Sequence, residues 1–410
     1  MRPDFYRRAK DNHLAIPNIL ELVATGASAD AVESVYPSTT YPAHATLVTG
    51  VPPRAHGIYS HLASLDPTDP ARSWHWFAPP LRVPALWSAA QATGKRTAAV
   101  GWPVSAGAPI DFNVPEIWDP ACPDPLKDFS TVARHSTPGL FEEITQALQP
   151  VLSSSSSDRA RSEAALHLWR NYRPDMLLVH FVGYDEQSHR YGPLSPQAFA
   201  ALEESDAEIS RIREAVTGGE PVELVVLSDH GFVPVENEAA PLVVLSEEGL
   251  FGSDAEGSPQ LRKLGAVHAG GSFAIYWLET PDAKERRALD RALQRLDETG
   301  AVAEIIDSGR LESLGADPDA EYMLDAAPGY YFSDRFTGPV VRPTVKDRGT
   351  HGHLPTRPGL EAAFITVGPE IARGKNLGRI SLARITAVLM RALGLAPELL
   401  ATEDEPLDLT

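Results

Sequence analysis

Short apolar runs alternate with longer stretches of helical periodicity along most of the chain. Most of the runs are rich in Val, Ile, Leu, Ala or Phe, which is typical of strands covered on both faces. They predict five strands, over residues 96–101, 176–182, 223–227, 272–278 and 362–367. Strands that alternate with helices indicate an α/β fold built on a mostly parallel sheet with helices on both faces.

Helix starts are marked by a hydroxyl residue before a proline. Such pairs occur at Thr137-Pro138, Ser195-Pro196 and Thr280-Pro281. The hydroxyl can cap the helix, and proline is favoured at the first helical position. The second helix is expected to reach about Val216 and the third to end near Gly300. Further helices are predicted over 157–172 and 381–393.

Length and spacing favour one large domain. We expect a single domain over residues 1–410. The stretch 232–350 is the longest one between two clusters of chemically interesting side chains. Its length predicts an inserted cap there. Cys122 is the only cysteine, so the chain can form neither an intramolecular disulfide nor a CxxC metal cluster.

Charge and hydropathy limit the partners. With 36 basic and 55 acidic side chains the net charge is −19, which argues against a nucleic-acid polymer as partner. No apolar stretch reaches the roughly 20 residues that a membrane span needs.

No export leader is visible at the start, so localisation is left open between export with an upstream leader and the cytoplasm. The oligomeric state is not predicted.

Three polar clusters adjoin predicted strands. Asp229-His230 follows strand 223–227, Asp185 and His189 follow strand 176–182, and His351 stands before strand 362–367. Ligands of open α/β sheets gather at the carboxyl ends of strands. Asp185 and His189 are four residues apart, so on a helical turn both face one side. Each cluster alone is more often a solvated turn or helix face, but together they offer five metal ligands.

A fourth cluster, Tyr36–His44, carries a candidate nucleophile. Pro42 predicts the start of a short helix, which leaves Thr40 at its N-terminus, where free N–H groups favour an anion or an alkoxide. The alternative is an ordinary helix cap. Two zinc-type ions beside a hydroxyl would suit an in-line displacement at phosphorus.

These residues stand in an order and spacing that resemble a known family. The landmarks are Tyr36-Pro-Ser-Thr-Thr-Tyr-Pro-Ala-His44, Leu47-Val-Thr-Gly50, His56-Gly-Ile58, Val100-Gly-Trp-Pro103, Gly183-Tyr-Asp-Glu-Gln-Ser-His189, Tyr191-Gly-Pro193, Ser228-Asp-His-Gly231 and Thr350-His-Gly352. Over nearly its whole length the chain resembles the type I phosphodiesterase/nucleotide pyrophosphatase branch of the alkaline phosphatase superfamily. The resemblance implies an alkaline phosphatase-like fold.

The resemblance also implies a cofactor, two divalent metal ions, with zinc the expected metal. Asp229 and His230 would hold the ion that activates the nucleophile. Asp185, His189 and His351 would hold the second ion, which would supply the attacking hydroxide.

Three further roles follow from the resemblance. Thr40 is the implied nucleophile, which would form a transient phosphothreonine. His61 stands where relatives often place an asparagine that binds the phosphoryl oxygens, and a histidine can also donate to an oxyanion. Tyr41 stands where relatives place an aromatic residue, so it would either stack on a nucleobase or be buried beside the nucleophile.

One departure concerns the start of the chain. Relatives supply their first metal ligand from an Asp-Gly pair that ends a first strand, just before a stretch resembling Arg2–Tyr6. That strand is missing from this sequence, and we expect it upstream of Met1.

The expected function is metal-dependent hydrolysis of a phosphodiester or a nucleotide pyrophosphate, with a small-molecule substrate. The alternatives are a phosphonoacetate-type hydrolase or a phosphomonoesterase on the same scaffold. If the short N-terminus is genuine, the chain would instead be an inactive binding protein.

Overall fold

A computed structural model describes residues 1–67, 72–122, 128–152, 157–217, 221–253, 259–260, 263–402 and 407–410. The helices are α1 (Pro3–Arg7), α2 (Pro17–Thr25), α3 (Thr40–Thr49), α4 (Pro53–His56), α5 (Leu86–Ala92), α6 (Phe129–His135), α7 (Leu140–Leu152), α8 (Ser157–Tyr172), α9 (Gly183–Tyr191), α10 (Pro196–Val216), α11 (Pro241–Glu247), α12 (Ala283–Glu298), α13 (Ser308–Ser313) and α14 (Ala383–Ala392). The strands are β1 (Ala27–Ser28), β2 (Ala31–Glu33), β3 (Thr97–Val100), β4 (Phe112–Val114), β5 (Met176–Val179), β6 (Leu224–Leu227), β7 (Val233–Ala239), β8 (Gly252–Ser253), β9 (Pro259–Gln260), β10 (Leu264–Ala269), β11 (Ser272–Trp277), β12 (Val302–Asp307), β13 (Tyr322–Ala326), β14 (Gly329–Phe332), β15 (Val341–Pro343), β16 (Gly349–Thr350), β17 (Phe364–Val367), β18 (Lys375–Asn376) and β19 (Arg379–Ser381).

The three strands β4, β3 and β5 form a parallel sheet in that order. All four residues of β3 are buried, because Ala98 and Val100 pack against Ala165 and Leu168 of α8. The predicted helix over 157–172 and the predicted strands at 96–101 and 176–182 are therefore confirmed as α8, β3 and β5. Their apolar runs read as strands because both faces of this sheet are covered.

A second sheet has the order β18, β1, β17 and β6. β1 is parallel to β18, whereas β17 is antiparallel to both of its neighbours, β1 and β6. The predicted strands at 223–227 and 362–367 are thus confirmed as β6 and β17. Helix α3 packs on this sheet, because Ala43 and Leu47 share a core with Phe364 of β17 and Ile385 of α14. This packing places the N-terminus of α3 beside the carboxyl end of β6.

The stretch predicted as a cap builds sheets of its own. Strands β10, β11, β13 and β12 form an antiparallel sheet, and β7 pairs with β14, β15 and β16. Helix α12 packs on the first of these sheets through Leu289 and Leu293, which share a core with Phe273 and Leu324. The predicted strand at 272–278 is confirmed as β11. The boundary of the cap stays a prediction.

Helix α10 begins as the sequence predicts. Ser195 accepts a hydrogen bond from the Ala198 amide through its hydroxyl, and Pro196 is the first helical residue. Helix α12 differs, because Asp282 and Glu285 form a reciprocal capping box and the helix begins at Ala283. The expected start at Thr280-Pro281 is therefore wrong, since two carboxylates satisfy more of the free N–H groups than a hydroxyl can.

A large cavity separates the two sheets. Among the described residues, β5 pairs with β3 alone and β6 with β17 alone, so each strand has one unpaired edge. Every residue of both strands lines a cavity of about 2440 Å³, as do Leu202 and Ile209 of α10. The four apolar residues of β6 are only half-buried. Thr40 and Asp229 line the same cavity.

No helix in the described part of the chain is both long enough and apolar enough to cross a membrane.

Candidate active site and metal centre

Three segments bring Asp185, His189 and His351 together. Helix α9 follows β5 and carries the first two residues one turn apart, and His351 follows β16. One ligand atom from each residue lies within 4.8 Å of the others. His189 Nε2 lies 3.6 Å from Asp185 Oδ2, and His351 Nε2 lies 3.7 Å from Asp185 Oδ1. These are the three residues predicted to hold the second ion.

The chemistry of this group fits a divalent cation. The Nε2 atoms of His189 and His351 are 3.2 Å apart. Each Nδ1 lies 3.2 Å from a backbone carbonyl oxygen, that of Gly349 for His189 and that of Ser38 for His351. If each Nδ1–H donates to its carbonyl, the two Nε2 lone pairs face each other and repel. A bound cation would remove this repulsion. Asp185 Oδ1 is buried and has no hydrogen-bond partner among the described residues.

Asp229 and His230 lie at the end of β6 and next to Thr40. His230 Nε2 is 3.2 Å from Asp229 Oδ2 and 3.3 Å from Thr40 Oγ1. His230 Nδ1 is 2.9 Å from the Gly231 carbonyl oxygen, which fixes the ring. His44 Nδ1 lies 3.5 Å from Asp229 Oδ2 and 2.8 Å from the Thr40 carbonyl oxygen. The predicted nucleophile and the predicted ligands of the first ion are thus adjacent.

The pKa values in this region reflect burial and close charges. Burial raises the pKa of Asp229, but His230 outweighs it and holds that pKa well below the usual value. Burial lowers the pKa of His230, yet Asp229 raises it above the usual value. Burial, with His230 and His189 nearby, holds the pKa of His351 well below normal. His351 is therefore neutral at pH 7 and can offer a lone pair.

Helix α3 begins at Thr40, two residues before the expected start at Pro42, with Thr39 as N-cap. Thr40 therefore lies at the helix N-terminus, as expected. The Thr39 hydroxyl makes no capping bond, so it does not occupy the first N–H groups of the helix. Residues 41–49 are all buried, which anchors α3 and holds the Thr40 side chain at the cavity. A helix N-terminus fixed in this way favours an anionic ligand there.

His61 lines the same cavity as Thr40. Its ring packs on Trp74 at 4.8 Å and lies 5.8 Å from the His268 ring, between centroids. Burial and the neighbouring His268 hold the pKa of His61 well below its usual value. A neutral imidazole still has one N–H to donate, so the expected role stays a prediction.

Tyr41 is fully buried. Its hydroxyl donates to Glu116 Oε1 at 3.0 Å, and its ring meets Trp74 edge-on at 5.4 Å. Of the two alternatives for this residue, the structure favours the buried one over stacking on a nucleobase.

Sequence reasoning missed a buried polar network beside the site. Glu116 lies 3.2 Å from His180 Nδ1 and 3.6 Å from Arg161 in addition to its bond with Tyr41. Burial raises the pKa of Glu116, but His180, Arg161 and Tyr41 lower it to about 2. The His180 ring lies 4.6 Å from that of His44. The sequence offered no local signal for this network, because His180 falls within the predicted strand 176–182 and no motif marks Glu116.

Solved structures of known proteins share this fold. Murine ectonucleotide pyrophosphatase/phosphodiesterase 5, in an inactive form in complex with AMP, is similar in structure, with a TM-score of 0.66, 16% identity and coverage of 100% of this chain and 95% of that chain. The human protein gives a TM-score of 0.64 at 14% identity, with the same coverage of both chains. The fold is therefore alkaline phosphatase-like, as predicted.

The family follows from the sequence comparison. The family model described as type I phosphodiesterase / nucleotide pyrophosphatase matches residues 1–353. The chain belongs to this family, which confirms the resemblance.

Curated relatives match about half of the chain. Venom phosphodiesterase 2 of Crotalus adamanteus is 27% identical over 232 residues, which cover 53% of this chain and 24% of that protein. Ectonucleotide pyrophosphatase/phosphodiesterase family member 3 of Mus musculus is 26% identical over 231 residues, which cover 53% and 22%. The chain spans about a quarter of the length of the curated relatives it matches.

Proposed function

We propose that this chain hydrolyses phosphodiester or pyrophosphate bonds of small molecules, with Thr40 as nucleophile and with two divalent ions, zinc being the expected metal. The observation that carries the proposal is the position of Thr40. Its Oγ1 lies at the N-terminus of α3 and 3.3 Å from His230 Nε2, beside a second group of three metal-type ligands.

In the proposed reaction, Thr40 Oγ1 attacks phosphorus, and its proton passes through solvent to the leaving alcohol or phosphate. The bond from phosphorus to the leaving alcohol or phosphate breaks as the bond to Oγ1 forms. Water then hydrolyses the threonine ester and releases the second product. The N–H groups at the start of α3 face the developing negative charge, and His61 would donate to a non-bridging oxygen.

Asp229 and His230 would hold one ion, and Asp185, His189 and His351 the other. Bound zinc would supply Lewis-acid stabilisation of the phosphoryl oxygens and would lower the pKa of a hydroxyl group or a water molecule. Imidazole and carboxylate ligands are compatible with zinc.

The substrate class follows from size and charge. The net charge of −19 disfavours a polyanion such as nucleic acid. A small anionic ester would be bound by the ions and by the helix N-terminus. The similar murine structure was solved with AMP, so nucleotide diesters and pyrophosphates are the first probes to try.

The test is turnover of bis-p-nitrophenyl phosphate by protein loaded with Zn²⁺, with and without a chelator. We expect chelator-sensitive release of p-nitrophenol, with Thr40→Ala at least about 1000-fold slower and Thr40→Ser partly active. The matched control is Thr49→Ala, because Thr49 lies at the other end of α3 and its hydroxyl donates only to the Ala45 carbonyl.

Other outcomes discriminate the alternatives. Faster turnover of p-nitrophenyl phosphate would indicate a phosphomonoesterase, and turnover of phosphonoacetate alone a phosphonate hydrolase. Zinc binding without turnover of any of these substrates would indicate a binding protein. Chelator-insensitive turnover, or full activity of Thr40→Ala, would contradict the proposal.

A further inference from the structure

Helix α9 carries two of the three ligands proposed for one ion but has no cap of its own. Its N-cap residue, Val182, makes no side-chain capping bond. The first N–H groups of a helix have no partner within that helix, so a group from elsewhere must satisfy them when they are buried. The position of Asp185 and His189 therefore depends on what holds the start of α9.

Asp158 of α8 supplies that group. Its Oδ1 accepts hydrogen bonds from the Val182 amide at 2.7 Å and from the Gly183 amide at 3.1 Å, and Oδ2 lies 3.1 Å from the Gly183 amide. The Ser205 hydroxyl of α10 donates to Asp158 Oδ2 at 3.1 Å. The side chain of Asp158 is buried, so one carboxylate joins α8, α9 and α10.

Gly183 has no side chain that would block this contact. A Cβ atom on Gly183 would lie 2.8 Å from Asp158 Oδ2. Glycine is thus the residue that allows the carboxylate to approach the amide this closely. The sequence places Asp158 in a helix 24 residues before Val182, so no local motif connects the two.

We propose that Asp158 is a positioning residue for the metal site, acting through the start of α9 on Asp185 and His189. The inference rests on the metal site of the proposed function. Hydrogen bonds to a carboxylate are about twice as strong as neutral ones, and a negative charge is favoured at a helix N-terminus. Ligand atoms must be placed within about 0.2 Å of their ideal distances. A small shift of α9 therefore moves both ligands relative to His351, which lies on a different segment.

The chain offers a matched control. Asp206 of α10 is also buried and caps the start of α2, accepting from the Ile19 amide at 2.7 Å and from the Asn18 side chain at 2.7 Å. Helix α2 carries none of the proposed ligands. A variant of Asp206 therefore measures what losing a buried external cap costs in stability at a helix that carries no proposed ligand.

The experiment compares Asp158→Asn with Asp206→Asn. Zinc affinity is measured by competition with a chromophoric chelator, the spectrum of bound Co²⁺ reports the ligand geometry, and thermal unfolding reports stability. We expect both variants to lower Tm to a similar extent. We expect only Asp158→Asn to weaken one of two zinc sites, by about 10- to 100-fold, and to alter the Co²⁺ spectrum.

Equal zinc affinities and Co²⁺ spectra for the two variants would overturn the positioning role. If Asp158→Asn does not fold, Ser205→Ala removes only one bond to the carboxylate and should give a smaller loss of zinc affinity in the same site; no loss there would also overturn it. Wild-type protein that binds no zinc would instead mean that the proposed metal site itself is wrong.

Discussion

The imidazole rings of His230 and His351 stack face to face, with centroids 3.8 Å apart and planes inclined by 19°. The two residues belong to the two different proposed metal sites, so the sites share a boundary formed by these rings. Because the pKa of His230 is raised and that of His351 is lowered, both rings will not be protonated together. Cations bound at this boundary would balance the carboxylates Asp185 and Asp229.

We expect removal of metal to destabilise the protein. Without a cation, the Nε2 atoms of His189 and His351 face each other, and Asp185 Oδ1 is buried with no hydrogen-bond partner in the described part of the chain. A ligand at 100 times its Kd adds about 2.7 kcal/mol to the free energy of unfolding. Thermal unfolding with Zn²⁺, with a chelator and with Mg²⁺ as a control should show a higher Tm for Zn²⁺ alone. An unchanged Tm in all three would contradict the proposed site.

His61 gives a test of oxyanion binding. Its lowered pKa makes it a neutral donor at pH 7. His61→Asn keeps a neutral N–H donor and should retain activity within about tenfold, whereas His61→Ala should lose about 100-fold in kcat. Steady-state kinetics between pH 6 and pH 9 would check this, and the ratio of wild-type to His61→Ala activity should stay constant across that range. Equal activity of His61→Ala and wild type would exclude the role.

The elements that the sequence predicts well are those with a local signal. Strand β5 and helix α10 follow from an apolar run and from a Ser-Pro pair, and the structure places both where expected. The proposed ligands were also predictable as a set, because each adjoins a strand. In the structure these strands, β5, β6 and β16, belong to three sheets whose ends meet at the site. Proximity in space is thus encoded by topology for these residues.

The residues that the sequence does not reveal act through distant partners. Glu116 contacts His180, which lies 64 residues later in the sequence, and Asp158 accepts a hydrogen bond from Val182, which lies 24 residues later. Neither acid belongs to a motif. The sequence alone predicts that an acidic residue in a helix such as α8 faces solvent. Their burial is a consequence of packing between elements, which no local pattern records.

Glu116 predicts a defined pH dependence of stability. Its pKa is about 2 in the folded protein and about 4.5 when unfolded, so the unfolded chain takes up the proton first. The stabilisation is therefore complete above pH 4.5 and is lost as the pH falls toward 2. Its full size is about 3 kcal/mol, from about 1.36 kcal/mol per unit.

Glu116→Gln should accordingly lower the free energy of unfolding at pH 7 by a few kcal/mol and flatten its decrease below pH 4.5. Urea unfolding at several values between pH 7 and pH 3 would measure both effects. Glu143→Gln is a suitable control, since Glu143 bonds to His167 and Tyr172 at an exposed position. Parallel pH profiles for wild type and Glu116→Gln would contradict the assignment.

The unpaired edges of β5 and β6 allow a final prediction. Both edges line one cavity, and the carboxyl ends of both strands lead to proposed ligands. Met1 lines it too, and the Met1 carbonyl accepts a hydrogen bond from the Ser228 hydroxyl just after β6. We expect a parallel strand joined to Met1 to pair with these edges.

We therefore expect an N-terminal extension of about five apolar β-branched residues followed by Asp-Gly to raise Tm by several degrees and to slow amide hydrogen exchange in β5 and β6. The same extension ending in Asn-Gly should give the same stability but weaker zinc binding, because the amide lacks the charge of a carboxylate. A Gly-Ser extension of equal length should give neither effect, since it has no side chains to bury against Leu202 and Ile209. If the apolar extension leaves hydrogen exchange in both strands at the level of the Gly-Ser control, the cavity does not take a strand from this end of the chain.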